Sequence, residues 1–483
     1  MIFHRSSRCT RGSWWVVDSK WSLTLQGYLC NIKAIAISIR SMVYENVLRD
    51  PANYNFKVEN LGECLVNTPL KLENYIEEGE SIVFSSQIKN IEYQFKTCDR
   101  LPSFEKAGAR AKIFHDPELL QVGIVTCGGL CPGLNNVIKG IVQTLENDYG
   151  IKRIFGMLYG YKGLTKDCNS KPISLSSKSV RHLHLNGGTV LGSSRGNQDP
   201  EEMVDQLISL GINLLFCVGG DGTLKGASAI AKEIKKRRLP IGVIGVPKTI
   251  DNDLGFVEKT FGFETSVQVA SEIITSANCE AEGAENGVGI VKVMGRDSGF
   301  IAATAALANS VVDFCLIPEI DLHLDGAQGL VNALKNRLDL NHHAVIVVAE
   351  GAGQNLFQSS EQRLDDSGNV LKEDIGTFLR DVLSQKLRDK GYSASMKYLD
   401  PSYHIRSVPA IASDAVFCYL LAEHAVHAGM AGKTDMLVGF WNNFFTHVPI
   451  ELATLERRKI DLDGALWKGV LSSTQQYPLW KDD

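Results

Sequence analysis

Several short stretches of this chain set chemically able groups at the ends of apolar runs. Pro247-Lys248-Thr249-Ile250-Asp251-Asn252-Asp253 places two carboxylates two residues apart, beside a hydroxyl and a lysine. Such a cluster is costly to bury without a purpose. Phosphoryl transfer to an alcohol needs a base for the acceptor proton and charge relief for the moving group, and this loop offers both; a solvated acidic loop is the bland alternative. Gly219-Gly220-Asp221-Gly222-Thr223 holds an acid inside a glycine nest. A bare carboxylate there would repel phosphates, so the arrangement fits a Mg²⁺ held between Asp221 and phosphate oxygens; an Asp-capped turn is the alternative. In Gly128-Gly129-Leu130-Cys131-Pro132-Gly133 the glycines let backbone N–H groups approach phosphate. Taken alone, that loop is equally a tight turn. Arg296, in Met294-Gly295-Arg296-Asp297-Ser298-Gly299, can fork a phosphate or sugar. Glu350 heads Glu350-Gly351-Ala352-Gly353, and Lys397 with Tyr403-His404-Ile405-Arg406 supplies donors for a second anion.

These loops need a scaffold that brings strand ends together. Short β-branched runs recur at 122–127, 153–158, 213–218, 241–246, 288–293, 312–317 and 344–349, separated by helical stretches. Runs of this length and composition predict parallel strands buried on both faces, in an α/β architecture of two open sheets. Ligands bind beyond the carboxyl ends of such strands, which is where the chemically able loops lie. One helix start is explicit: Asp199 caps, Pro200 occupies the first turn with Glu201 and Glu202, and Gly211 closes. With 483 residues and 53.0 kDa, two packed domains are expected.

Fifty basic against 55 acidic residues, a net charge of −5, give no chain-wide field for nucleic acid. Most of the cysteines sit in apolar runs, which suits a reducing compartment, and no Cys-x-x-Cys pair offers a metal-thiolate site. No apolar run approaches the length of a membrane span. Residues 1–41 differ from the rest, with six Lys or Arg, one acid and seven Ser. A cytoplasmic protein is expected, with organelle targeting through this basic, Ser-bearing segment as the alternative, or a second start at Met42. Residues 42–118 show no chemistry and are expected to pack on the catalytic body. Gly432-Lys433-Thr434 lacks the glycine five residues earlier that a P-loop needs, since His427 stands there.

In series, GGDGT, PKTIDND and MGR give the chain a resemblance to the ATP-dependent 6-phosphofructokinases, and most to the branch shared by plants and some protists. The resemblance covers about residues 119–450. It implies the phosphofructokinase fold, two Rossmann-like lobes, with residues 1–118 as an N-terminal extension. The ATP and Mg²⁺ lobe would be 119–262 plus about 405–450; the fructose 6-phosphate lobe would be 263–404 plus about 451–483. By the family's pattern Gly128, Arg195, Gly196 and Gly220 through Thr223 would bind ATP, and Asp221 would hold Mg²⁺. Asp251 would be the base that takes the proton from the sugar 1-hydroxyl, with Lys248, Thr249 and Ile250 beside it. Met294, Gly295, Arg296 and Glu350 would contact the sugar and reacting phosphate; Lys397, Tyr403, His404, Ile405 and Arg406 would follow the substrate loop. A homotetramer is the family's usual assembly.

Departures alter this picture. Bacterial members carry His where Tyr403 stands and Arg where Lys397 stands. They also take a substrate-binding Arg from a neighbouring subunit near the position of Gly287, which puts their inter-subunit link in doubt here. Lys248 is typical of the pyrophosphate-dependent relatives, whereas Gly222 is the ATP-branch residue and leaves room for an α-phosphate. The leading expectation is therefore ATP-dependent phosphorylation of fructose 6-phosphate to the 1,6-bisphosphate. Pyrophosphate dependence is one alternative, and a non-catalytic sugar-phosphate-binding subunit is another, which the presence of Asp251, Asp221 and Arg296 opposes.

Overall fold

In the computed structural model, residues 42–98, 100–166, 168–357, 364, 370–478 and 480 are described. The targeting expectation for residues 1–41 lies outside them. All seven expected runs form strands, within two residues of their predicted limits.

The larger sheet has nine strands. Its order is Ser81–Val83, Ser103–Lys106, Phe444–Pro449, Met436–Trp441, Gly242–Pro247, Leu214–Gly219, Val122–Thr126, Ile154–Gly156 and Ile173–Ser174. The five strands from Met436–Trp441 to Ile154–Gly156 run parallel, but both flanks are antiparallel, so the sheet is mixed rather than purely parallel. One flank begins with a hairpin whose turn residues Asn442 and Asn443 hold φ of 47° and 65°. That left-handed pair is the turn chemistry a tight hairpin demands, and it escaped the sequence reading. Strands from residues 42–118 complete the same edge. Phe84 and Phe104 bury fully, and the Phe84 ring stacks 5.4 Å from Trp441, whose Nε1–H donates to the Phe84 carbonyl at 2.8 Å. The extension therefore belongs to the core. Lys433 of the rejected P-loop lies in a short strand pairing Glu59–Asn60 and forms an ion pair with Glu105.

The smaller sheet is parallel throughout, in the order Phe314–Leu316, His343–Ala349, Gly287–Val293 and Ser395–Leu399. Apolar runs such as Val345–Ala349 are completely buried, as strands covered on both faces must be. The Gln476 side chain closes its edge, accepting from the Cys315 N–H at 2.6 Å and donating to the Cys315 carbonyl at 3.1 Å, in place of a further strand. At Gly287 a side chain would run into the Ala281 backbone, so no arginine is accommodated at that position. The expected cap is formed, with the Asp199 carboxylate accepting from the Glu201 N–H at 3.0 Å. Among the described residues, no helix is long and apolar enough to cross a membrane.

Candidate active site

Val122–Thr126, Leu214–Gly219 and Gly242–Pro247 are neighbours in the larger sheet, so the loops leaving their carboxyl ends converge. His343–Ala349, Gly287–Val293 and Ser395–Leu399 are neighbours in the smaller one. The two sets of loops enclose a cleft of about 950 Å³.

The wall from the larger sheet is built mostly from backbone. Gly128 holds φ +84°, in the left-handed region that favours glycine. Its N–H donates to the Ser194 carbonyl at 3.0 Å, which brings the loop carrying Arg195 and Gly196 alongside. Buried Lys248 donates to the Gly129 carbonyl at 2.8 Å, and burial lowers its ammonium pKa. The helix Asp221–Lys236 begins with Gly220 at its cap position, without a side-chain cap. Asp221 is therefore not a cap; its carboxylate instead meets Lys225 at 3.0 Å, a pair weak enough at the surface to be displaced. Among the described residues, no group of three or more His, Cys, Asp or Glu is arranged to hold a metal. One carboxylate in a phosphate-sized cleft is nonetheless a hard oxygen donor suited to Mg²⁺, which takes its remaining ligands from water and phosphate. A Cβ on Gly222 would meet nothing within 4 Å, so its side of the cleft is open.

The Asp251 and Asp253 loop turns through Asn252, whose φ is 53°. Asn tolerates this conformation, and its side chain is tied down, accepting from the Thr260 N–H at 3.0 Å. The turn separates the two acids. Asp253 accepts from the Thr249 hydroxyl at 3.2 Å and from Arg457 at 3.1 Å. Asp251 is half-buried, and its buried Oδ1 has no hydrogen-bond partner. Burial pushes the Asp251 carboxyl well above the usual carboxylate range, aided by the charges of Asp253 and Glu350 and opposed by Arg457 and Arg296. Burial raises Asp253 as well. Of the pair, Asp251 is the one left open to take a proton from a ligand.

The wall from the smaller sheet presents side chains. Met294, Arg296, Glu350, Asp400, Tyr403 and Arg406 line it. Burial raises the Glu350 carboxyl, with Arg296, Lys292 and Arg406 acting against it. The Arg406 guanidinium lies 5.0 Å over the Tyr403 ring, and Tyr403 itself is 82% exposed.

Sixteen of the residues singled out from sequence line this cleft; Gly295, Lys397, His404 and Ile405 do not. Gly295 supports the wall through backbone, its carbonyl accepting from the Gly351 N–H at 3.0 Å. Ile405 is fully buried in the core, because Ser402–Ser407 is a helical turn that puts residues 403 and 406 on one face and 405 on another. Lys397 and His404 are exposed and do not line the cleft. Asp400 and Arg457 are among the lining residues that escaped the sequence reading. Asp400 follows the strand Ser395–Leu399, which was too mixed in composition to be read as one. Arg457 lies past the last recognised motif, in an Arg-Arg pair that reads as surface.

Cys127 and Cys131 are buried, and burial pushes Cys127 up to about 12 and Cys131 higher, so neither is a ready thiolate.

Residues 121–429 match the family model described as Phosphofructokinase. The ATP-dependent 6-phosphofructokinase of Borreliella burgdorferi is 47% identical over 88% of this chain and 97% of its own. ATP-dependent 6-phosphofructokinase 7 of Arabidopsis thaliana is 45% identical over 77% of each chain. Among solved structures, the pyrophosphate-dependent phosphofructokinase of Marinobacter aquaeolei is similar with a TM-score of 0.60, at 20% identity, over 75% of this chain and 92% of its own. At that identity the likeness speaks for the fold. Loops, cleft and relatives agree: the chain belongs to the phosphofructokinase family.

Proposed function

We propose that the chain transfers the terminal phosphoryl group of ATP to the 1-hydroxyl of fructose 6-phosphate, a committing step of glycolysis. The observation that carries this reading is the buried, unpartnered Oδ1 of Asp251, set between a glycine-built phosphate wall and the side chains of Arg296 and Glu350. On this reading Asp251 takes the hydroxyl proton at an Oδ atom as the oxygen attacks. Gly128, Arg195, Gly196 and Gly220 through Thr223 cradle the nucleotide phosphates, and Arg296 stabilises the charge that builds on the moving group. Glu350, Tyr403 and Arg406 orient the sugar phosphate. Mg²⁺, held by Asp221 together with phosphate oxygens, supplies charge neutralisation when bound.

The larger sheet is taken as the ATP lobe and the smaller as the sugar-phosphate lobe, with a homotetramer as the working assembly. Cytoplasmic residence is the working assignment. Fusion of residues 1–41 to a fluorescent reporter tests the organelle alternative: import would replace the cytoplasmic assignment.

Lys248 favours a second reading in which pyrophosphate is the donor, since a buried cation at Gly129 would suit a small leaving phosphate. Gly222 argues for ATP, because its open side admits an α-phosphate. The deciding experiment is a coupled assay of fructose 1,6-bisphosphate formation with each donor. Turnover with ATP and little with pyrophosphate is expected; the reverse would replace the proposal with the second reading.

A further inference from the structure

We propose that Arg457 is a positioning residue that assigns separate tasks to the two loop acids, tying Asp253 to the opposite wall of the cleft and leaving Asp251 alone to serve as base. The inference rests on the phosphoryl-transfer reading above. One guanidinium nitrogen, Nη1, lies 3.1 Å from Asp253 Oδ2 and 3.3 Å from Asp297 Oδ2. Asp253 belongs to a loop of the larger sheet and Asp297 to a loop of the smaller, so the side chain spans the cleft between them.

The neighbouring backbone makes the same connection. The Arg458 N–H donates to the Asp253 carbonyl at 2.7 Å, its Nη1 donates to the Val257 carbonyl at 2.9 Å, and its guanidinium sits 4.7 Å over the Phe300 ring. Lys372 meets the other oxygen of Asp297 at 3.1 Å, which steadies the far anchor. Asp253 is thereby saturated by Thr249 and Arg457, while Asp251 Oδ1 keeps no partner. Without the arginine, two carboxylates two residues apart, each with a buried oxygen, would compete for one proton, and the loop would have no reason to present Asp251 rather than Asp253. The groups that bear on Asp251 are Asp253, Glu350, Arg296, Lys248 and Arg457. Arg457 is the one among them that also holds Asp253 in an ion pair.

The experiment compares wild type, Arg457→Met and Arg457→Lys. Arg457→Met is expected to lower kcat by about 10–100-fold with KM for both substrates within about 3-fold, as displacement of a reacting group does. The acid limb of its kcat/KM profile should move to higher pH, because a cation facing both acids is gone. Arg457→Lys should recover most of kcat and return the limb towards wild type. A lower melting temperature with the acid limb unmoved would make Arg457 a structural staple and overturn the proposal. Carboxyl ¹³C titration of aspartate-labelled protein reads the same effect without turnover. Two buried resonances should titrate at higher pH in Arg457→Met, and coincident curves would overturn the proposal even in an inactive preparation. A wild-type chain inactive with either donor would fail the phosphoryl-transfer reading and leave this spectroscopic outcome separately decisive.

Discussion

The two walls of the cleft are made differently. The wall from the larger sheet presents backbone and two acids: Gly220 and Gly222 offer N–H groups and space beside the Gly128 turn, while Asp251 keeps a buried, unpartnered Oδ1. The facing wall presents long charged side chains, several already engaged within their own lobe. Asp400 is held by Lys292, which also pairs with Asp374, and Arg406 lies on an exposed Tyr403 ring. A wall of backbone is rigid when it is made, and it suits a reacting centre where small displacements are costly. A wall of side chains can re-pair around a ligand, at the cost of breaking existing contacts. Chemistry is expected to be concentrated on the first wall and recognition on the second.

The severest test of this contrast is Asp251→Ser. It should lower kcat by about 10²–10⁴, as loss of a positioned base does, while the affinity for fructose 6-phosphate stays within a few-fold. Turnover near wild type would move the base to Asp253 and dissolve the distinction between the two acids.

Next comes Gly222→Asp, which probes the open space of the backbone wall. A carboxylate about 4 Å from an α-phosphate, at an effective dielectric near 20, repels by on the order of 4 kcal/mol before screening. The expected result is a fall of about 100-fold or more in kcat/KM for ATP. The melting temperature should be unchanged, since the new Cβ meets no protein atom within 4 Å. With Lys248 in place, weak pyrophosphate activity is the expected companion. Undiminished ATP turnover would show that the α-phosphate lies elsewhere.

Arg296 belongs to the side-chain wall yet its charge bears on Asp251 across the cleft, so Arg296→Lys sharpens the comparison. Lysine keeps the charge and loses the planar fork. A fall of about 10-fold in kcat, larger than any change in KM, is expected; a pure KM effect would return Arg296 to recognition.

The smallest effect is on stability. Burial raises the folded-state pKa of Asp251 above its unfolded value, so its contribution is fully present below the unfolded pKa and is lost as pH rises through the folded one. Asp251→Asn should therefore melt above wild type at pH 8, by about 1–2 °C, with the gap narrowing as pH falls towards 5. A variant that melts lower at pH 8 would mean that the ionised carboxylate is stabilised in place.

Much of the backbone wall is legible in the sequence. Glycine clusters after β-branched runs, an acid in a nest, and a doublet of acids around Asn are local patterns with local causes, and the seven runs form strands close to their predicted limits. The Asn442-Asn443 hairpin signal is equally local but went unread. The side-chain wall is less legible. Ile405 turns into the core because the helical turn Ser402–Ser407 has an inner face, which no motif records.

The sequence by itself determined which loops could carry phosphate chemistry, because backbone freedom at glycine and the chemistry of carboxylate, guanidinium and ammonium travel with the residue. Tertiary structure decided which of those groups are paired and which are left open. Asp251 and Asp253 are nearly equivalent as letters, and differ in the fold because Arg457, more than 200 positions away, reaches Asp253 while the Oδ1 of Asp251 keeps no partner; on the proposed reading that makes one the base and the other the anchor. Likewise, residues 42–118 join the core because Phe84 and Phe104 find Trp441 from the far end of the chain. Such pairings follow from burying apolar area and satisfying polar groups over the whole fold, and distance along the chain carries no record of them.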